Sequence, residues 1–268
     1  MWNADLSTPI ALLIALAAYL GLSFRLEERP AARQVVAFGA ALLVILFAIT
    51  GPLDQLVVDR SFSAYIFQQM LLVFVVPPLL LAGLPGSMLR PMLVGRYIEP
   101  LMRLLTRPLF AFLLFAAVFT LIHYPAVCDR VCHVHPFYGA LHGVLLFVGF
   151  FLWWPLLSPL PEYPRLSYPL QVMYLFLLMI PMTAVAAPIT LASSVVYSFY
   201  MGGIHPLGLT PMADQELGGL IMWVGQGGYI MFAFTVIFFR WSRRDDEEMP
   251  PLNREPIPAL HAIPPRHA

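Results

Sequence analysis

Charged residues are scarce in this chain of 268 residues, and lysine is absent altogether. Charged residues make up 11% of the sequence, whereas a soluble domain carries about 25%. Hydrophobic residues make up 60% and the mean hydropathy is +0.78, so a polytopic membrane protein surrounded by lipid is predicted. The 15 basic residues, all arginine, balance 15 acidic ones, which gives no reason to expect a nucleic-acid partner. Two cysteines, Cys128 and Cys132, are too few for a disulfide framework.

Seven apolar runs are long enough to cross the hydrocarbon layer of a bilayer, which is ~30 Å thick. Lipid offers no hydrogen-bond partner to a free backbone, so each run is expected to be a helix. The runs are Ser7 to Phe24, Gln34 to Leu53, Phe62 to Leu84, Pro108 to Tyr124, Pro136 to Leu157, Tyr168 to Ala192 and Leu217 to Phe239. The predicted fold is an all-α bundle of seven transmembrane helices over residues 1–240. The charged, proline-rich segment 241–268 is expected to be a disordered cytoplasmic tail.

Arginine placement predicts the orientation of the bundle, because cytoplasmic loops are enriched in basic residues. With the C-terminus inside, every arginine except Arg60 and Arg130 falls on the inner side. Seven spans then place the N-terminus outside. The inner linker from Pro85 to Arg107 is compatible with a short amphipathic helix on the membrane surface and with an ordinary loop.

Polar side chains within the spans cluster by depth at the predicted outer side. Such residues are costly in lipid and therefore indicate a site. They are Tyr65, Gln68 and Gln69 in the third run, His123 at the end of the fourth, His142 in the fifth, and Asp214 and Gln215 at the start of the seventh. We expect them to converge on one polar pocket, with Met222 as the best candidate for a thioether ligand. A satisfied core histidine is an equally good interpretation of His142, and methionine in a core is usually filler.

The predicted outer loop after the fourth run contains the pattern Cys128-x-x-x-Cys132-His133-x-His135. Thiolate and imidazole together suit copper(I) or zinc. Three alternatives stay open: a structural disulfide in an oxidising compartment, a covalent haem on a variant of the C-x-x-C-H motif, and thiols without a role. Near the inner end of the fifth run, Trp153 and Trp154 are expected to be interfacial anchors.

Three stretches, in order and each on its own span, resemble the multi-spanning CtaG-type assembly factors of caa-type cytochrome c oxidases. They are Pro77 to Pro85 (PPLLLAGLP), His142 with Gly149 and Phe151 to Pro155 (FLWWP), and Pro211 to Val224 (PMADQELGGLIMWV). The similarity covers Ser63 to Phe239. It implies a protein of the bacterial inner membrane that matures a haem-copper oxidase, handles copper near the outer face and has oxidase subunits as partners. The sequence has no nucleotide motif and no plausible serine or cysteine catalytic set, so an enzyme is not expected.

The chain departs from the family pattern at Tyr65, Gln69 and Tyr138, where members usually carry histidine. The positions that it keeps are His123, His142, Asp214 and Met222. Either the metal site has moved to the cysteine and histidine pattern between the fourth and fifth runs, or this member no longer binds metal.

The first hypothesis is an assembly factor that binds copper(I) transiently at its periplasmic face. His123 and His142 would anchor the intramembrane end of the site. Cys128, Cys132, His133 and His135 would accept the ion from a periplasmic copper donor once the cysteines are reduced. The alternatives are a non-metal accessory or scaffold subunit of a respiratory oxidase, and a transporter of copper or a small solute built on proline-broken helices. The near absence of candidate ligands in the inner half argues against a transporter.

Overall fold

The computed structural model describes most of the chain, and within the described part it contains helices and no strands. The described residues are 6–25, 29–93, 95, 97–133, 135–203 and 208–248, with the side chains at 92, 131–137 and 245–248 left out. The predicted all-α class is confirmed over these residues.

Thirteen α-helices, two π-turns and a 3-10 turn make up the described part. The α-helices are α1 Ser7–Ser23, α2 Ala32–Thr50, α3 Pro52–Val58, α4 Phe62–Met70, α5 Val76–Gly83, α6 Gly86–Leu93, α7 Ile98–Leu105, α8 Pro108–Ile122, α9 Pro125–His133, α10 His135–Leu157, α11 Tyr168–Thr190, α12 Pro211–Leu220 and α13 Gln226–Glu248. The first π-turn is Leu71–Val75, the second is Ile221–Gly225, and the 3-10 turn is Ser198–Gly202.

Five helical stretches are long and apolar enough to cross a membrane. They are Ala32–Val58, Phe62–Gly83, Tyr138–Leu157, Tyr168–Thr190 and Pro211–Arg244. A sixth is available if α7 and α8, which are bent by 78° against each other, form one span, and α1 is a shorter apolar helix. A multi-pass membrane protein is therefore confirmed. The count of seven spans and their orientation stay predictions.

The third and fifth predicted spans form the centre of the bundle. More than half of each, 56%, is buried inside the protein, against 22% for Ala32–Val58. Their inward faces pack against α8, α11 and α12, and one large apolar core includes all of these helices. Polar groups on these two spans are consequently held away from lipid.

The third stretch, Phe62–Gly83, continues through Pro77 and Pro78 instead of stopping there. A proline has no N–H donor, and its ring crowds the carbonyl four residues earlier. The first π-turn lies directly before the two prolines, and its wider helical turn relieves that crowding. The two prolines are thus accommodated by a π-turn within one helix.

Three connecting segments differ from the simplest expectation. The predicted outer loop after the fourth run is largely helical, because α9 occupies Pro125–His133 and α10 begins at His135. The inner linker folds as two short helices, α6 and α7. The last helix, α13, extends beyond Arg240 to Glu248, so the first part of the predicted disordered tail is helical. Residues 249–268 lie outside the described residues.

Candidate functional site

His142 belongs to a hydrogen-bond network that is organised by Gln68 on α4. The Gln68 side-chain amide donates through Nε2 to the carbonyl of Ala48 at 2.7 Å. Its Oε1 accepts from the Tyr138 hydroxyl at 2.7 Å and lies 3.2 Å from His142 Nε2. The contact with the Ala48 carbonyl fixes the orientation of the amide, because a carbonyl can only accept.

This orientation determines which nitrogen of His142 carries the proton. Gln68 Oε1 is an acceptor, so His142 Nε2 must be the N–H donor. A protonated nitrogen has no lone pair for a metal ion. The Nε2 atom of His142 therefore has a structural partner in Gln68 and is not presented as a ligand.

We expect Gln68→Leu to lower the free energy of unfolding by roughly 2 kcal/mol, because it leaves the buried His142 Nε2 donor without its acceptor and the Ala48 carbonyl without the Gln68 donor. Thermal unfolding of the detergent-purified protein, followed by tryptophan fluorescence, measures this loss. Gln55→Leu is the matched control, since it removes one partly exposed bond to Asp59 and should cost less than about 1 kcal/mol. Equal melting temperatures for the two variants would contradict the network.

Asp214 lies fully buried at the start of α12, and its carboxylate caps the N-terminus of α4. It accepts from the backbone N–H of Phe62 at 2.7 Å and of Ser63 at 3.4 Å. The hydroxyls of Ser61 and Ser63 also donate to it. Free N–H groups and the helix dipole at a helix N-terminus both favour a negative group. The role of Asp214 in the described structure is thus to join the third and seventh predicted spans.

Gln215 joins the start of α12 to the chain that follows α11. Its Oε1 accepts from the N–H of Val196 at 2.6 Å. Its Nε2 donates to the carbonyls of Ile189 and Ser194, each at 3.4 Å. Asp214 and Gln215 are therefore occupied by backbone groups, and the Asp-Gln pair holds the predicted outer end of the bundle together.

His123 shows the opposite arrangement to His142. Its Nδ1 lies 2.7 Å from the carbonyl of Phe119, which requires the proton to be on Nδ1. Its Nε2 is buried and has no hydrogen-bond partner among the residues that the structure describes. Tyr197 fixes the backbone here by donating to the His123 carbonyl at 2.9 Å. Metal-binding histidines have this form, with a carbonyl on one nitrogen and a lone pair on the other.

Cys128 is fully buried on α9, the helix that follows His123. The side chains of Cys132, His133 and His135 lie outside the described residues, so the predicted four-residue cluster is not tested. Within the described side chains, no group of three or more His, Cys, Asp or Glu is placed to hold a metal ion. Among the described side chains, His123, His142 and Asp214 have separate sets of hydrogen-bond partners, so no hydrogen bond joins them, and the single polar pocket stays a prediction.

Tyr65 belongs to an aromatic cluster below the 3-10 turn. Its ring lies 6.3 Å from that of Phe62 and 5.9 Å from that of Tyr200, between ring centroids. Gln69 on α4 and Met222 in the second π-turn line a small cavity, together with Gln226 at the start of α13. Sequence reasoning passed over Gln226, although a polar residue inside the seventh run met the same criterion as Gln69. It also passed over Ser61 and Ser63, although Ser61 stands directly before the third run, where serine is a common N-cap residue.

Trp153 connects α10 to the π-turn of the third stretch by a hydrogen bond and is not an interfacial anchor. Its indole N–H donates to the Val73 carbonyl at 3.0 Å, to which Pro77 can give no N–H. Gly149, one turn earlier, lets the two helices approach, since a methyl group there would lie 3.0 Å from the Val73 carbonyl oxygen. Trp154 is also fully buried and donates to the Tyr163 carbonyl at 3.3 Å. The anchor interpretation of both tryptophans was wrong because both side chains face the core.

The Pro-Pro, Gly-Trp and Asp-Gln motifs are thus three parts of one helix-packing arrangement, and comparison with known proteins places the chain in a family. A sequence model of a family described as cytochrome c oxidase caa3 assembly factor (Caa3 CtaG) matches residues 17–244. Uncharacterised proteins of Mycobacterium bovis and Mycobacterium tuberculosis are each 29% identical to the chain over 143 residues. That match covers 53% of this chain and 22% of each mycobacterial protein. No solved structure matches significantly.

Proposed function

The chain belongs to the cytochrome c oxidase caa3 assembly factor family, and from this premise we propose that it handles copper(I) at the periplasmic face of the bacterial inner membrane during maturation of a haem-copper oxidase. Oxidase subunits are then its partners, and a soluble periplasmic protein is the copper donor. The proposal includes seven spans with the N-terminus outside and the C-terminus inside. The arginine distribution supports this orientation, because it leaves Arg60 and Arg130 alone on the outer side.

The hydrogen bonding of the two ring nitrogens of His123 is the main support for the copper proposal. The Phe119 carbonyl holds its proton on Nδ1, so Nε2 presents a lone pair. That nitrogen is buried without a partner in the described structure, and leaving a buried polar atom unpaired costs about 1–3 kcal/mol. A transient metal ion offers this atom a bond that the resting fold does not. The position at the end of α8, on the predicted outer side, suits exchange with a periplasmic protein.

The cysteines supply the soft ligands in this proposal. Cys128 lies on α9, directly after His123 in the chain, and Cys132 follows one turn later. Thiolate and imidazole are ligands that copper(I) prefers. Both cysteines must be reduced and deprotonated to bind, so the redox state of the pair would control loading. His133 and His135 are proposed as further ligands for capture from the donor.

The test is a copper(I) titration of the reduced, detergent-purified protein against a chromogenic chelator. We expect His123→Phe to weaken binding by more than about tenfold, because even outer-shell partners of metal ligands affect affinity by 10–100-fold. His142→Phe is the matched control and should leave the affinity within about twofold, since His142 belongs to the Gln68 network and shares no hydrogen-bond partner with His123 among the described residues. A Cys128→Ser/Cys132→Ser variant should lose the ion.

Unchanged affinity in His123→Phe would overturn the assignment of this residue. The absence of tight binding in the reduced wild-type protein would overturn the copper proposal as a whole.

A second candidate function, a scaffold without metal, is favoured by the hydrogen bonds of the motif residues. Asp214, Gln215 and His142 each contact structural partners. In this case the protein would hold oxidase subunits in place during assembly. Copurification with oxidase subunits, without stoichiometric copper and unaffected by the cysteine variant, is the result expected for a scaffold.

A further inference from the structure

The described part of the chain contains two π-turns, and both contribute side chains to the wall of the same internal cavity. The first follows Gln69 on the third stretch, and the second separates α12 from α13. A methyl group at Gly225 would lie 3.5 Å from Met70 Cε, so the two turns are close. Such π-turns are rare and frequently occur at functional positions. The wider helical turn leaves a gap between helices that would otherwise pack together without a cavity.

Two amides in the cavity wall have atoms without partners. Gln69 is 6% exposed and Gln226 is 3% exposed. Gln69 Nε2 and Gln226 Oε1 are both buried, and neither has a hydrogen-bond partner among the described residues. Both side chains contribute to the cavity wall, with Met222 beside them. A donor and an acceptor, each unpaired and each away from lipid, are the pattern expected around a bound polar molecule.

The size of the cavity limits what it can hold. It offers about 10 Å³ to the centre of a water-sized sphere, which is close to the requirement of one water molecule. Phe74, Phe115 and Leu145 make the rest of the wall apolar. An organic ligand does not fit this space, and the described wall contains no charged side chain that would neutralise a bound ion.

We propose that this cavity is a binding site for one water molecule, which accepts a hydrogen bond from Gln69 and donates one to Gln226. A water molecule can hydrogen-bond to both amides whichever way each amide group is oriented, because water can donate two hydrogen bonds and accept two. A cation would require both amides to present oxygen. The water joins the third and seventh predicted spans at their π-turns. This proposal does not depend on copper binding.

X-ray radiolytic footprinting of the full-length, copper-free protein in lipid nanodiscs tests the site. Irradiation produces hydroxyl radicals from bound water, which oxidise the side chains beside it. Met222 is 1% exposed but adjoins the proposed water, so we expect it to be oxidised rapidly. Met88, which is 6% exposed on α6, lies away from the cavity and serves as the internal control. Oxidation of Met222 as slow as that of Met88 would overturn the proposal.

The variant Gln69→Leu/Gln226→Leu removes both amides while keeping the volume. We expect Met222 to lose its rapid oxidation in this variant and to match Met88. Rapid oxidation that persists would show that the amides do not hold the water and would also overturn the proposal. Gel filtration checks that the variant is folded, and Gln69→Met/Gln226→Met replaces it if leucine is not tolerated. The copper titration of His123→Phe is a separate readout, so either proposal can fail alone.

Discussion

Asp214→Ala should destabilise the protein by about 3 kcal/mol or more, because four donors at the start of α4 lose their acceptor together. Two of these donors are the backbone N–H groups of Phe62 and Ser63, and two are the hydroxyls of Ser61 and Ser63. Water cannot replace the carboxylate at a position that is fully buried. The measurement is the midpoint of thermal unfolding in detergent, together with the yield of monodisperse protein.

Glu216 provides the matched control for Asp214. It lies two residues later on α12 and is exposed, so Glu216→Ala should shift the midpoint little. Asp214→Asn should fall between the two, because the amide keeps the shape but loses the charge and one acceptor. An alanine variant at Asp214 as stable as Glu216→Ala would show that the carboxylate does not join α12 to α4. The agreement of Asp214 with the family pattern would then have to be explained by a role in binding a ligand or partner.

Gly149→Ala is expected to have an effect of similar size, about 3 kcal/mol, from steric overlap between α10 and the first π-turn. The added methyl group would lie 2.8 Å from Pro77 Cγ and 3.0 Å from both Cα and O of Val73. Backbone atoms cannot move aside as a flexible side chain does. Separation of the helices would also lengthen the bond from Trp153 to the Val73 carbonyl, which adds the loss of a buried hydrogen bond.

Gly143→Ala on the same helix is the control, because nothing lies within 4 Å of the added methyl group. Alanine favours a helix over glycine by roughly 1 kcal/mol, so this variant should be as stable as the wild type or slightly more stable. Retention of full stability by Gly149→Ala would mean that the helices are not packed as closely here as described. The fluorescence of Trp153 should separate the two variants, since only Gly149→Ala alters its indole contact.

The sequence predicted the helices well because lipid restricts the possible answers. An apolar run near 20 residues has one stable backbone structure in a membrane, so the third, fifth and sixth runs agree closely with their observed bounds. The second and seventh runs lie inside longer helical stretches, Ala32–Val58 and Pro211–Arg244. The fourth run, Pro108 to Tyr124, also agrees with α8, Pro108–Ile122, but α8 counts as a span only together with α7. Pro108 limits α8 to a 15-residue helix bent sharply against α7, and apolar length alone does not report a bend.

The site was predicted less well because a sequence gives the depth of a side chain but not its direction. His123 and Asp214 lie at the ends of α8 and α12, and His142 lies about two turns into α10, as expected. Each, however, contacts a different partner, and depth could not distinguish one shared pocket from several separate contacts. Gln68 illustrates the limit, since it was grouped with Gln69 but faces Tyr138 and His142. Gln69, its neighbour in the chain, faces the cavity instead.

The family motifs also acquire a physical meaning that their letters alone do not give. Pro77 removes a donor, Trp153 replaces it, and Gly149 allows the approach that makes the replacement possible. Asp214 supplies the acceptor that the start of α4 requires. A pattern of this kind predicts a fold shared by the family, and it leaves the metal question to the residues outside the motifs, above all His123.

The hydrogen bond from Trp153 to Val73 joins residues that are 80 positions apart in the chain, and this separation sets an order for biosynthesis. When the third stretch leaves the ribosome, Trp153, which donates a hydrogen bond to its Val73 carbonyl, has not yet been synthesised. A backbone carbonyl without a hydrogen-bond donor costs several kcal/mol in lipid. The nascent third stretch is therefore expected to stay out of lipid until α10 emerges. We expect stalled nascent chains that end before Trp153 to crosslink to the insertion machinery, and chains that extend past Leu157 to be released from it.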